Sequence, residues 1–284
     1  MNDLEAVRYA SRMCGYPSTS SECLNRGEST TWDLPDAGVV ARVSTGDQAA
    51  NIGRMRTISD AVALAGVPTP RFLESVTIES DPPMIVLFVR RFATVPRPKE
   101  TRLFRLGESL RHLHAAAPDV DSECQLIERK DAQLVRFRAL RGDTEHEWIS
   151  RLWDDASAPF RSMAPDVFAH GDPHLGNLLV GDNQACLIDW EDAGWGDRMV
   201  DLGKVATAFN RTETTTDAHR AAFWDGYGGH VDVPAAATRM HDVSRLIWAG
   251  SLEGPIPGGG LDYEASKITL DDPTAVWYPS SGVA

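Results

Sequence analysis

Two short stretches carry residues whose types and spacing suit chemistry: His170-Gly-Asp-Pro-His-Leu-Gly-Asn177 and Ile188-Asp-Trp-Glu-Asp192. Pro173 disfavours helical geometry at Asp172, which predicts a fixed loop that projects the carboxylate. A carboxylate so held can accept or steer the proton of a hydroxyl. Asn177 offers an amide oxygen and Asp189 a carboxylate, the hard donors that magnesium prefers to sulfur or imidazole. The three together suit phosphoryl transfer, which needs an aligned hydroxyl, divalent ions on the β and γ oxygens, and fixed positive charge around a triphosphate. His170 reads as a buried hydrogen-bonding post for the loop, and His174 as a residue that orients the loop or approaches the substrate. A competing reading groups His170, Asp172, His174 and Asp189 as a zinc-type hydrolase centre, but it leaves Asn177 without purpose. Taken singly, Asp172 and Asn177 fit turns, and Asp189 fits a strand-end cap.

The surrounding pattern says what must position these groups. Leu178-Leu179-Val180, the turn Gly181-Asp182-Asn183 and Ala185-Cys186-Leu187-Ile188 predict two short strands in a tight hairpin, whose ends arrive side by side. Upstream, Val39-Val40-Ala41-Arg42-Val43 reads as a buried strand with one long charged side chain. Ile52, Met55, Ile58 and Val62 recur at helical spacing from 49 to 64, and Gly66 and Pro68 end that helix. Residues 84–92 form an apolar strand closed by Arg90 and Arg91, and Pro96-Arg97-Pro98 marks a boundary. Leu103, Leu106, Leu110 and Leu113 then define a helix with one buried stripe over 101–117. Further helices are expected over 132–140, 145–158, 201–209, 216–227 and 235–252. The division is a first domain over 1–92 and a second over 93–284.

Composition narrows the function. A length of 284 residues predicts one large domain or two modest ones. Lys and Arg number 28 against 41 Asp and Glu, a net charge of -13. That balance repels a phosphate backbone, so no nucleic-acid partner is expected, and a cationic or neutral substrate fits better. The apolar run Met84–Val89 is far too short to span a bilayer, and the N-terminus lacks a secretory pattern, so a cytoplasmic protein with no membrane role is expected. Cys14, Cys23, Cys124 and Cys186 form no C-x-x-C pair and read as free thiols.

Asp172 and Asn177 stand at the interval of the aspartate and asparagine in the protein-kinase catalytic loop, and Asp189 follows a hairpin as that fold's second metal-binding aspartate does. More closely, HGDPHLGNLLV and LIDWEDAGWGDRMVDL resemble the catalytic and metal-binding blocks of the aminoglycoside phosphotransferase and choline-kinase-like family. LGESLRHLHA and AGVPTPRFL support the resemblance, which covers most of residues 20–210. It implies an α+β, bilobal protein-kinase-like fold, with a small antiparallel sheet in the first lobe and a mainly helical second lobe. It also implies ATP or GTP as donor, Mg2+, Asp172 as the catalytic aspartate, and Asn177 and Asp189 as metal ligands. Asp201 would be a structural acid that braces the loops, although its place at a helix start equally fits packing.

The first lobe departs from the family pattern. Arg42 stands where a strand lysine is usual; it keeps the charge and can make a forked phosphate contact. Asn51, Gly53, Arg54 and Arg56 occupy the region where an acidic partner is expected. There is no G-x-G-x-x-G, and Ser29, Thr30 and Thr31 are the candidates to cover phosphates, against the plainer reading of a polar hairpin turn. On the acceptor side, Asp154, Asp155, Glu191, Asp192, Asp271 and Asp272 are candidates to recognise ammonium groups, or are simply solvated acids. The expected activity is transfer of the γ-phosphate to a hydroxyl of a small molecule such as an aminoglycoside, amino sugar or amino alcohol. A catalytically weak regulatory nucleotide binder is the alternative, and a metal-dependent hydrolase a more remote one.

Overall fold

The computed structural model describes residues 1–26, 29–121, 125–141, 147–211 and 214–251, which fall into two units. The first unit comprises Met1–Pro96, Pro118–Val120 and Leu179–Glu191. It begins with α1 (Asp3–Cys14), opened by a reciprocal cap in which Asn2 and Glu5 each accept the other's backbone N–H. Strands β1 (Glu22–Arg26), β2 (Thr30–Leu34) and β3 (Val39–Thr45) follow, then α2 (Asp47–Leu64), β4 (Phe72–Ile78) and β5 (Met84–Arg90). The five strands form one antiparallel sheet in the order β1-β2-β3-β5-β4.

Ala6, Val7 and Ala10 of α1 share a core with Val39, Ala41 and Val43 of β3 and with Phe88 of β5. Strand side chains alternate between faces, so with 39, 41 and 43 in that core, Arg42 projects from the other face of the sheet. On α2 the positions of the apolar repeat, Ile52, Met55, Ile58 and Val62, are buried, with Ser59 and Ala61 beside them.

The second unit comprises Arg97–Ala117, Asp121–Leu178 and the described part of Asp192–Ala284. In chain order its elements are α3 (Lys99–Ala115), α4 (Leu126–Arg141), α5 (Glu147–Arg161) and β6 (Val167–Ala169). The hairpin β7 (Leu178–Val180) and β8 (Ala185–Leu187) comes next, most of it belonging to the first unit. The second unit then resumes with β9 (Gly194–Gly196), α6 (Arg198–Arg211), α7 (Asp217–Tyr227) and α8 (Ala235–Ser251). Its core joins Leu126 and Phe137 of α4, Trp153 of α5, Val200 of α6, and Met240 and Val243 of α8.

Helices α3 and α7 approach so closely that a Cβ on Gly226 would lie 2.0 Å from the Phe104 carbonyl oxygen, which is why glycine stands there. The β6–β9 pair lies outside the sequence expectation: each strand has three residues, too few for a periodic signal, and the pairing is long-range. Among the described residues no helix is long and apolar enough to cross a membrane. Cys14, Cys23 and Cys186 are free thiols, and Cys124 lies outside the described residues.

Candidate active site

In the second unit the polar loop is built on a buried carboxylate. Asp201, in the first turn of α6, is fully buried and accepts the backbone N–H of His170 at 2.8 Å and of Gly171 at 2.7 Å. His114 of α3 adds a third contact, Nε2 to Asp201 Oδ2 at 3.0 Å, while its Nδ1 meets the Tyr227 hydroxyl at 2.9 Å. With Asp201 an acceptor only, His114 carries a proton on Nε2. Burial pushes the Asp201 pKa upward, but the His114 hydrogen bond and the His170 N–H outweigh it, and the carboxyl lies below its ordinary range. Gly171 turns the chain with φ 84°, and a Cβ there would lie 2.5 Å from the Asp192 carbonyl oxygen.

Asp172 follows this brace, and its N–H is donated to Nδ1 of the buried His170 at 3.3 Å. Both of its carboxylate oxygens are engaged. Lys204 of α6 places Nζ 2.5 Å from Oδ1. His174 places Nε2 3.3 Å from Oδ2, and its Nδ1 accepts the Gly176 N–H at 3.0 Å. A backbone N–H can only donate, so His174 has its proton on Nε2 and donates it to Asp172. Burial would raise the Asp172 pKa, but Lys204, the His174 hydrogen bond and the further charge of Lys130 hold it well below the usual carboxylate range.

Asn177 ends a short turn that Arg102 of α3 fixes by donating to the Leu175 carbonyl at 2.7 Å. Its Nδ2 donates to the Asp172 carbonyl at 3.0 Å and to Oδ2 at 3.4 Å. Both partners are acceptors, so the amide orientation is fixed, and Oδ1 has no hydrogen bond among the described residues.

In the first unit, Asp189 is the one non-glycine residue with positive φ, 68°, among those described. A residue held in that region marks a constrained site. Its Oδ1 accepts from Arg42 Nη1 at 2.9 Å, and Oδ2 has no hydrogen bond among the described residues. Arg42 also donates through Nε to Ser29 Oγ at 2.8 Å, and its Nη2 lies 3.9 Å from Glu191 Oε2. Thr31 sits opposite Arg42 in the β2–β3 register, whereas the Thr30 hydroxyl is donated to Asp3 at 2.9 Å. The acids around Arg42 thus come from the segment after β8. From α2, Arg54 donates to the Glu191 carbonyl at 2.6 Å.

Oδ1 of Asn177 in the second unit and Oδ2 of Asp189 in the first are each a hard oxygen with no hydrogen bond among the described residues, the donor type that hard divalent cations prefer. Among the described residues no three His, Cys, Asp or Glu side chains converge as a metal-binding group. The Nδ1 atoms of both His170 and His174 already accept backbone N–H groups.

The acidic candidates have separate settings. Asp154 and Asp155 are exposed on α5. Asp192 is bonded by the buried Lys130 of α4 and by Gln133 at 3.1 Å, and Glu191 lies toward Arg42. Asp271 and Asp272 lie outside the described residues. Lys130 loses most to burial, which lowers its pKa, yet Asp192 and Asp172 overcome this and the ammonium is held above its ordinary value.

Lys204, Lys130 and His114 escaped the sequence reading. Lys130 had a signal: it stands in a helical stripe with Leu126, Leu134 and Phe137, where a cation needs a buried partner. Lys204 lies three residues after Asp201, on the same face of α6.

A sequence model described as the phosphotransferase enzyme family matches residues 26–240, well over half of the chain. The chain belongs to the phosphotransferase enzyme family. This phosphotransferase is similar in fold to a choline/ethanolamine kinase family protein from Mesorhizobium loti, with a TM-score of 0.60 and 20% identity, covering 96% of this chain and 91% of that one. It is also similar to an amicoumacin kinase in complex with AMP-PNP, Ca2+ and Ami, with a TM-score of 0.68 and 11% identity over 95% of this chain and 92% of that one. An aminoglycoside phosphotransferase from Streptomyces rimosus gives a TM-score of 0.55 and 17% identity, covering 86% of the phosphotransferase and 97% of its own chain. Among curated protein sequences, none matches. Family membership assigns the phosphotransferase class, and the structural likenesses agree on the kinase-like fold with an antiparallel sheet in its first part and helices in its second.

Proposed function

We propose that the protein is a small-molecule kinase that moves the γ-phosphate of ATP or GTP to a hydroxyl group, with Asp172 as its catalytic carboxylate. The observation that carries this reading is the state of Asp172: ionised, pinned through its backbone to a buried brace, and oriented through both oxygens by Lys204 and His174. A carboxylate in that state is ready to accept a hydrogen bond from an acceptor hydroxyl and to draw its proton as the oxygen–phosphorus bond forms. Lys204 keeps the anion oriented, and His174 restricts the directions from which the hydroxyl approaches.

Asn177 Oδ1 and Asp189 Oδ2 are the donors proposed for magnesium. When bound, magnesium supplies neutralisation of charge on the β- and γ-phosphate oxygens. Arg42, with Ser29 and the backbone beside it, is proposed to contact the phosphates. The amicoumacin kinase, bound to AMP-PNP and a divalent ion, supports a nucleotide donor. For the acceptor we propose a small hydroxyl compound of the aminoglycoside, amino sugar or amino alcohol kind, supported by the net charge of -13. Among the acidic candidates described, Asp154 and Asp155 are exposed to solvent, whereas Glu191 and Asp192 are half-buried.

The test is incubation with Mg·ATP or Mg·GTP and a panel of aminoglycosides, amino alcohols, amino sugars and nucleosides, with mass spectrometry to find a product heavier by one phosphoryl group. Asp172→Asn is expected to reduce turnover by about 10²- to 10⁴-fold while leaving nucleotide affinity in place. Phosphorylation that persists in Asp172→Asn overturns the assignment of Asp172. Saturable nucleotide binding with no product across the panel favours a regulatory binder instead.

A further inference from the structure

Arg42 has more carboxylate around it than one guanidinium needs. Its Nη1 is bonded to Asp189 at 2.9 Å, its Nη2 lies 3.9 Å from Glu191, and its Nε is bonded to Ser29 at 2.8 Å. The two acids are not equivalent. Asp189 is held at φ 68° and keeps one oxygen with no hydrogen bond among the described residues, which suits that oxygen to ligate a cation. A divalent ion held by that carboxylate would repel the neighbouring guanidinium, and Arg42 would then need negative charge from another group.

Glu191 is built to supply it. The Arg54 guanidinium of α2 fixes the Glu191 carbonyl at 2.6 Å, and the indole N–H of the preceding, buried Trp190 is donated to Thr69 Oγ1 at 2.8 Å. The segment bearing Glu191 is therefore tied down at two consecutive residues from another part of the same unit. Its side chain is only 28% exposed, so the attraction to Arg42 is less screened by water than on an open surface.

We propose that Glu191 is a positioning residue for Arg42: with Ser29 it keeps the guanidinium in place to meet the phosphates of a nucleotide after Asp189 has passed to the metal. This rests on the donor and metal roles proposed above, and it assigns Glu191 to the phosphate side of the reaction rather than to acceptor recognition.

Calorimetric titration with Mg·ATP and Mg·GTP, without any acceptor, tests it. Wild type is expected to bind one of them, and Glu191→Gln to bind that nucleotide about five- to tenfold more weakly. Affinity for the parent nucleoside, which has no phosphates, is expected to stay the same, and Glu191→Asp to recover part of the loss. A purely structural role would weaken the nucleoside and the triphosphate alike, and that result overturns the inference. Unchanged triphosphate affinity in Glu191→Gln, with Arg42→Met weakened, also overturns it while leaving the kinase reading intact. Wild type that binds neither triphosphate overturns the kinase reading itself.

Discussion

Asp189 in the first unit and Asp172 in the second are each met by a cation from their own unit, yet the two pairs are built differently. Arg42 takes one oxygen of Asp189 and leaves the other without a hydrogen bond, on a backbone held in a rare conformation. Lys204, His174 and Asn177 between them engage both oxygens of Asp172, on a backbone secured by a buried carboxylate. A carboxylate with a spare oxygen is suited to ligate. One whose every direction is assigned is suited to aim at a single atom. The same residue type is thus directed to two tasks by its neighbours.

The comparison breaks most severely at the brace. Asp201→Asn keeps the shape but replaces one acceptor oxygen with an NH2 group, which then faces a backbone N–H or His114 at zero exposure. A buried donor facing a donor, with the charge removed, is expected to cost about 3 kcal/mol, read as a lower urea midpoint with an unchanged slope. No residue near Asp189 is expected to give an equal loss, because the carboxylate there is half-exposed whereas that of Asp201 is fully buried.

Lys204→Met sharpens the contrast in function. It frees one oxygen of Asp172 and loosens its aim, so turnover is expected to fall about 10- to 100-fold while nucleotide affinity holds, with partial recovery in Lys204→Arg. Unchanged turnover would make Lys204 a solvated cation that happens to sit against Asp172.

How much of this was legible in the sequence differs between the same two regions. The loop from His170 to Asn177, the hairpin and Asp189 are local, so spacing and turn chemistry reveal them, and Arg42 stands out as a charge within an apolar strand. The partners of those groups come from elements far away in the chain: Lys204 and Asp201 from α6, His114 from α3, Lys130 from α4. No local pattern states that these helices converge on residues 170–177. Lys130 was readable only from the full register of α4, and a helix begun at residue 132 instead of Leu126 hides it. Likewise, the lack of an acid at residues 51–56 of α2 does not reveal that Glu191 stands near Arg42.

The second unit also carries an acid-sensitive group without a counterpart described in the first. His241 of α8 is buried, and burial, then the charges of Lys204 and Lys130, depress its pKa from 6.5 to about 3. The folded chain keeps it neutral while the unfolded chain takes up a proton below pH 6.5, so stability from this group is present above that pH and lost as pH falls toward 3. Between pH 7 and pH 5 the loss is about 2 kcal/mol. His241→Gln can still donate to the Val200 carbonyl and is expected to flatten that part of the curve, measured as the difference in urea midpoint between the two pH values. Equal slopes in wild type and variant would place the acid sensitivity elsewhere.

The smallest effect is expected at the tie beside Asp189. Thr69 accepts the Trp190 indole N–H at 2.8 Å and shares a hydrogen bond with Ser59 at 3.1 Å. Thr69→Val preserves volume and removes the hydroxyl, so packing is retained while the hydrogen bonds to the buried Trp190 indole and to Ser59 are both lost, Ser59 keeping its bond to the Pro70 carbonyl. A neutral hydrogen bond contributes about 1 kcal/mol, so the stability read from the urea midpoint and slope is expected to drop by about 1 to 2 kcal/mol. If the first unit positions Asp189 and Glu191 through this tie, Thr69→Val will also weaken nucleotide binding slightly, in the same sense as Glu191→Gln and by less. If it weakens stability alone, Arg54 is sufficient to hold the segment. In that case the contact of Arg54 with the Glu191 carbonyl matters more than the indole tie in placing the segment that carries Asp189.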